Sequence, residues 1–283
     1  MAYSEDLVDR IVDSYSTSRD EEKIFHSKED FNNFLETSKD ILLLDYREPD
    51  YTREDIPSLL QRTEKSLLSL LTEEKIDNPQ DKVDAYLNSL PEIRRLLSGS
   101  ARAILHGDPA ADSIQEIVIC YPGFIAITNY RIANQLYRLS LPFLARLIAQ
   151  DGQRRTGIDI NPGATIGENF FIDHGTGIVV GQTCVIGDNV KLYQGVTLGA
   201  LSLAKGSELK GQKRHPTIED NCTIYSCASI FGGDTIIGEG STIGSNTYIT
   251  RSIPKRSVVY NSKDGTVIAS KDDPSQSPHP FEN

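Results

Sequence analysis

Ile160-Asn161-Pro162-Gly163-Ala164-Thr165-Ile166-Gly167-Glu168-Asn169-Phe170-Phe171-Ile172 places an isoleucine at every sixth residue. The step continues through Val180, Ile186, Leu192 and Leu198, then Ile218, Ile224 and Ile230, and finally Ile237, Ile243 and Ile249. Side chains recur every 3.6 residues on a helix face and every 2 on a strand face, so neither element explains a period of six. Fixed-period self-similarity marks a solenoid. Units of this length predict short parallel strands, three to a coil, stacked into a prism-shaped β-helix with the aliphatic residue plugging the inside of each face.

The residue four places after each ladder position should also turn inward, near a corner with little room. Those places hold Ala164, Thr176, Cys184, Val190, Val196, Cys222, Ala228, Ser241 and Thr247, nearly all small; Phe170 and Asp234 break the pattern. The phase slips by two residues between Ile172 and Val180 and by one between Ile230 and Ile237, and such insertions map to corners or loops. Between Leu198 and Ile218 a polar stretch should leave the coil and project at about residues 200–217. Lys205, Lys210, Lys213, Arg214 and His215 make it locally basic, and long loops are disproportionately functional.

Upstream of about residue 157 the hexad is absent and apolar residues recur at helical spacing, as in Ile56, Leu59, Leu60, Leu67, Leu70 and Leu71, then Val83, Tyr86 and Leu87, then Ile125, Ile132, Leu136 and Leu139. Pro142 marks one helix ending and another beginning. The expected organisation is α+β. A domain of six to nine helices spans residues 1–157, with a charged arm in its first 50 or so residues. A parallel β-helix spans 158–260, and a tail spans 261–283, with a Pro-, Ser- and Asp-rich end from Lys271.

At 283 residues, with 38% hydrophobic and 24% charged, the composition is that of an ordinary soluble protein. No run of about 18 apolar residues occurs, and the acidic start lacks a signal-peptide pattern, so a cytoplasmic protein without a membrane span is expected. A net charge of −11 argues against non-specific nucleic-acid binding, which needs a basic footprint. Cys120, Cys184, Cys222 and Cys227 form no C-x-x-C pair and no metal-ligand spacing, and read as reduced, mostly buried small hydrophobes.

Five histidines are available for proton transfer near neutral pH: His26, His106, His174, His215 and His279. His174 interrupts the ladder in Ile172-Asp173-His174-Gly175-Thr176-Gly177, where two glycines let the backbone turn and a ligand approach. Asp159 lies fifteen residues earlier. At about 18 residues per coil the two fall on neighbouring coils near one corner, where a carboxylate could hold the imidazole in its useful tautomer. Arg214-His215-Pro216 reads equally as a loop re-entering the coil and as a carboxylate clamp. Asp108-Pro109-Ala110-Ala111-Asp112 reads first as a helix N-terminus capped by Asp108, a role that ligand binding could share.

Together these segments resemble the serine O-acetyltransferases, hexapeptide-repeat acyltransferases that make O-acetylserine for cysteine biosynthesis. The likeness spans roughly Asp108 to Pro254. It rests on Asp108-Pro109-Ala110, Asp159-Ile160-Asn161-Pro162-Gly163-Ala164, Ile172 to Gly177, Gln194-Gly195-Val196-Thr197-Leu198-Gly199 and Arg214-His215-Pro216. It implies a left-handed β-helix, trimers often paired through their helical domains, and active sites between adjacent chains. It makes His174 the general base and Asp159 its orienting partner. Asp108 and Asp173 would hold the ammonium of serine and Arg214 the carboxylate, with His215 lining the pocket. Acetyl-CoA, as co-substrate, would lie near Gly199 and Ala200 and near Gly244 and Ser245; no metal is implied. Feedback inhibition by cysteine is implied too.

Three features depart from the family pattern. Asn161 replaces a common histidine, and the 199–215 loop is longer than usual. In many members a C-terminal isoleucine docks into O-acetylserine sulfhydrylase, and this sequence carries Pro280-Phe281-Glu282-Asn283 instead, which leaves that partner an open expectation. Among rivals, an acetyltransferase for a sugar would not need the charges of Asp108, Asp173 and Arg214, although homoserine or another small hydroxyl amino acid would fit them. A γ-class carbonic anhydrase needs three histidines on one metal, and the coils hold only His174 and His215. A solenoid that only binds partners would need no base at His174.

Overall fold

The structure, a computed structural model, describes residues 4–15, 27–48, 50–201, 208, 211–262 and 265–273. His26, His279, Lys205, Lys210 and the stretch 274–283 lie outside the described residues. Seven helices occur among them: α1 (Glu5–Ser14), α2 (Lys28–Arg47), α3 (Asp55–Glu73), α4 (Pro79–Gly107), α5 (Ile114–Cys120), α6 (Pro122–Arg138) and α7 (Pro142–Thr156). Their starts follow the local chemistry. The Ser27 and Ser113 hydroxyls accept from the N–H groups of Asp30 and Glu116, and Pro79, Pro122 and Pro142 sit in first turns where a missing N–H costs nothing.

The expected charged arm divides in two. α1 buries nothing, whereas α2 buries Phe34, Leu35, Leu42 and Leu43, so only α1 is a loose arm. Phe34 packs on Tyr86 with ring centroids 5.2 Å apart, and the Tyr86 hydroxyl donates to Ser38 Oγ at 2.9 Å. Asp108 also departs from expectation. It closes α4, its N–H still donating to Ile104 O, and α5 begins later under its own Ser113 cap.

From Asp159 the chain winds through three parallel sheets. The first sheet stacks β1 (Asp159–Ile160), β4 (Val179–Val180), β7 (Thr197–Gly199), β10 (Ser229–Phe231) and β13 (Tyr248–Ile249). The second stacks β2 (Thr165–Ile166), β5 (Val185–Ile186), β8 (Thr217–Ile218) and β11 (Ile236–Ile237). The third stacks β3 (Phe171–Ile172), β6 (Lys191–Leu192), β9 (Thr223–Ile224), β12 (Thr242–Ile243) and β14 (Ser257–Ser262), and β15 (Gly265–Ser270) closes it antiparallel to β14. In the first sheet Asp159 pairs with Val179, Val179 with Thr197, Thr197 with Ser229 and Ser229 with Tyr248, steps of 20, 18, 32 and 19 residues. The regular coil is thus 18 residues. The two slips of phase supply the extra two and one, and the stretch between Leu198 and Ile218 supplies the rest.

Every ladder residue is at most 6% exposed. The insertions redirect two corners: Thr176 is exposed and Ile178 takes its inner place, while Thr235 is buried beside an exposed Asp234. Phe170 is buried in spite of its size. At the corner between the second and third sheets Asn169, Asn189 and Asn221 adopt left-handed backbone, which asparagine tolerates. Their side chains form a ladder, with Nδ2 donating to Oδ1 of the next coil at 2.9 and 3.1 Å.

Both ends of the stack are covered. N–H groups of the first coil donate forward, as Asp159 does to Ile178 O and Thr165 to Cys184 O, while the carbonyls of Pro162, Ala164, Ile166 and Gly167 face the helical domain. α6 answers them. The Tyr130 hydroxyl donates to Ala164 O at 2.7 Å, Asn134 Nδ2 to Pro162 O and Ala164 O, and the buried Arg131 guanidinium to Ile166 O and Gly167 O. At the far end the β14–β15 hairpin covers the last coil. The boundary near residue 260 falls inside this hairpin, so residues 265–270 are a strand where a tail was expected.

Candidate active site

His174 stands at the corner where the chain passes from β3 in the third sheet to β4 in the first. Its backbone is left-handed, at φ 54°, a conformation that costs roughly 1–2 kcal/mol for a residue with a Cβ and that tends to persist at functional sites. Most other such positions in the coil corners hold asparagine or glycine. The imidazole is 72% exposed, and its Nε2 lies 3.7 Å from Asp173 Oδ2. Asp159 opens β1 beside the same corner, its N–H donating to Ile178 O at 2.9 Å. Among the described residues no hydrogen bond or ion pair joins Asp159 to His174, so a dyad requires the exposed ring to turn from Asp173.

Asp108 reaches this corner from the end of α4. Its Oδ1 accepts from the Ala110 N–H at 2.9 Å and its Oδ2 from the Tyr121 hydroxyl at 2.8 Å. The hydrogen bond to Asp108, followed by burial and by the charges of Asp108, Glu116 and Asp173, pushes the Tyr121 phenol up to about 12. Tyr193 is also raised, by burial first and then by Tyr225, Asp173 and Asp108. Asp108 and Asp173 thus both help to raise Tyr121 and Tyr193, which makes this corner locally acidic.

Arg214 and His215 occupy a different corner, between β7 of the first sheet and β8 of the second. Arg214 donates to Gln182 Oε1 at 2.6 Å, and Gln182 in turn donates to the Tyr137 hydroxyl at 3.0 Å. His215 is 8% exposed and packs against Gly181, where a Cβ would come within 1.9 Å of its ring. Burial, and then the positive charges of Arg214 and Lys213, lower its pKa to about 4, so the ring is neutral at neutral pH. One face of the prism separates this pair from Asp108, Asp173 and His174 within one chain.

The remaining expected positions divide in the same way. Gly199 ends β7 and Ala200 follows it, on the corner of Arg214, whereas Gly244 and Ser245 follow β12 on the corner of His174, where Ser226 donates to Ser245 Oγ at 3.1 Å. Two cysteines depart from the buried reading: Cys184 and Cys222 are buried, with thiols raised by burial to about 12 and about 11, but Cys120 and Cys227 are exposed. No three His, Cys, Asp or Glu side chains among the described residues are grouped to hold a metal ion. Tyr121, Gln182 and Thr183 were not singled out in the sequence. Thr183 meets His215 across 32 residues, an offset set by the register of Val185 on Thr217 and invisible to local periodicity.

No protein-family model matches the chain. It is 55% identical over 178 residues to the plasmid serine acetyltransferase of Synechococcus elongatus, a match spanning 62% of this chain and only 56% of that protein. It is 47% identical over 165 residues to the serine acetyltransferase of Bacillus subtilis, spanning 58% of this chain and 73% of that one. Among solved structures it resembles Entamoeba histolytica serine acetyltransferase 1 in complex with L-cysteine, with a TM-score of 0.73 and 35% identity over 87% of this chain and 94% of the other. With paired carboxylates at the corner of His174 and a guanidinium beside a neutral histidine at another, the chain belongs to the serine acetyltransferase family.

Proposed function

We propose that the protein transfers the acetyl group of acetyl-CoA to the hydroxyl of L-serine, giving O-acetylserine and CoA, as the first step from serine to cysteine in the cytoplasm. The observation that carries this reading is the pair of carboxylates at one corner, Asp173 with its Oδ2 3.7 Å from His174 Nε2 and Asp108 held by the Tyr121 hydroxyl at 2.8 Å. Two carboxylates suit the ammonium of an amino acid, whereas a neutral sugar brings no cation that would need their paired charge. Arg214 supplies the complementary clamp for a carboxylate. Because the two halves occupy different corners, the site closes between neighbouring chains of a trimer of left-handed β-helices. The likeness to a family member bound to L-cysteine supports inhibition by that amino acid in the serine pocket.

In the reaction His174, turned to Asp159, removes the proton from the serine hydroxyl as its oxygen attacks the thioester carbon. The C–O bond forms and the carbonyl π electrons move onto oxygen, where a hydrogen-bond donor stabilises the charge. Collapse breaks the C–S bond, and the departing thiolate takes the proton from His174. Acetyl-CoA lies in the groove between chains, along Gly199 and Ala200 of one and Gly244 and Ser245 of the other.

The test measures CoA release with L-serine, homoserine, a galactoside or no acceptor, for the wild type and His174→Ala. Serine-dependent release that drops about 10²- to 10⁴-fold in the variant is expected for loss of a general base. Release with the sugar alone, or undiminished turnover by the variant, would overturn the assignment.

A further inference from the structure

Four hydrogen bonds converge between Thr183 and the Arg214-His215 segment. The Thr183 N–H points at His215 Nδ1 at 3.2 Å. A backbone amide can only donate, so Nδ1 accepts and carries no proton. The Thr183 hydroxyl lies 2.8 Å from the same Nδ1 and accepts from the N–H groups of Arg214, at 2.9 Å, and His215, at 3.1 Å. With both lone pairs engaged, its single proton goes to Nδ1. Lys213 adds a second lock, its ammonium donating to the carbonyls of Thr183, His215 and Pro216.

We infer that Thr183 is the positioning residue that holds His215 as an Nε2–H donor, aimed beside Arg214 at the substrate. The inference rests on the acetyl-transfer reading, since it assigns the polarity of one wall of that site. Nε2 has no partner among the described residues, and the ring is seated over Gly181, where even a methyl group would overlap it. His215 therefore offers one N–H to an acceptor, either a serine carboxylate oxygen or the tetrahedral oxyanion. It has no lone pair on that nitrogen with which to act as a base. This division leaves proton removal to His174 and makes His215 a fixed donor, costing no reorganisation during the reaction.

The experiment pairs kinetics with a tautomer measurement on the full-length protein. Thr183→Val keeps the side-chain shape and removes the hydroxyl; kcat/KM for serine should fall by about 10- to 100-fold, the scale of a misplaced catalytic group, with KM for acetyl-CoA little changed. Thr183→Ser restores the hydroxyl and should recover most of the loss. In ring-¹⁵N-labelled wild type at pH 7, with the His215 signals assigned by their loss in His215→Asn, Nδ1 should resonate as an unprotonated acceptor and Nε2 as a protonated nitrogen. A protonated Nδ1, or a Val variant as active as wild type, would overturn the inference. Should Thr183→Val fail to fold, the wild-type spectrum alone decides. If wild type releases no CoA with serine, the proposed function fails while the tautomer result still judges the role of Thr183.

Discussion

The separation of the two half-sites makes a quantitative prediction about mixed oligomers. His174→Ala removes the base at one corner, and Arg214→Ala removes the clamp at the other. If each site takes its base from one chain and its clamp from the next around a ring, two singly defective chains can build an intact site between them. Under random assembly of an equal mixture, half of the chains carry an intact His174 and half of their neighbours an intact Arg214, so about one quarter of sites are whole. His174→Ala alone should retain about 1% or less of wild-type turnover if the base accounts for 10²- to 10⁴-fold, and Arg214→Ala alone should lose about 10- to 100-fold at serine below its KM, the worth of a charge-assisted contact of about 1.5–3 kcal/mol. Co-expression with two different affinity tags, followed by tandem purification, retains only mixed trimers, in each of which one site of three is whole, so CoA release with serine should recover toward about one third of wild type and stand clear of either variant alone. A doubly tagged oligomer with no recovery would refute the shared site, since a site contained in one chain leaves every site with one defect.

Three further perturbations test the parts. Tyr121→Phe removes the hydroxyl that holds Asp108 Oδ2; because that bond orients Asp108 and does not itself touch serine, KM for serine should rise by about 3- to 10-fold, the net worth of one ordinary hydrogen bond, with KM for acetyl-CoA unmoved, and a uniform drop in kcat with constant KM would contradict this role. Arg131→Met leaves the Ile166 and Gly167 carbonyls without their guanidinium donor, and the unfolding free energy should fall by about 2–4 kcal/mol; an unchanged thermal midpoint would count against the capping account. The pKa of His215, lowered from 6.5 to about 4 by burial, Arg214 and Lys213, means the unfolded chain binds the proton first. Stability should therefore be full above about pH 6.5 and decline toward pH 4, by at most about 3 kcal/mol per chain from this group, and His215→Asn should flatten that slope in thermal melts.

The solenoid was legible because a buried position recurs every six residues whatever its neighbours do, and the slips near Thr176 and Asp234 even gave the 20- and 19-residue coils. The corner of His174 was legible from its glycines. Asp108 resembles the start of a helix because Asp-Pro is a common opening, yet its own N–H completes α4 and Pro109 then ends the run. The hairpin at Ser257–Ser270 lost the hexad phase, and with it the only periodic signal in that region. The contacts of Tyr121 with Asp108 and of Thr183 with His215 depend on docking and register, quantities that a local pattern does not contain.

The helical domain is usually the part of such an architecture that one would assign to assembly, but here its geometry bears on the chemistry. The first coil leaves the carbonyls of Pro162, Ala164, Ile166 and Gly167 facing the helical domain, and α6 covers them with Tyr130, Arg131 and Asn134. The covering requires α6 to lie flush on the first coil. Gly123 permits it, since a Cβ there would sit 2.4 Å from the Ile172 carbonyl oxygen. Ile172 directly precedes Asp173, and Gly123 follows Tyr121 by two residues, so the same contact that caps the solenoid brings Tyr121 and its partner Asp108 to the corner of His174. A substitution that lifts α6 from β3 should therefore weaken serine recognition as well as stability. In this fold the two properties share one backbone contact.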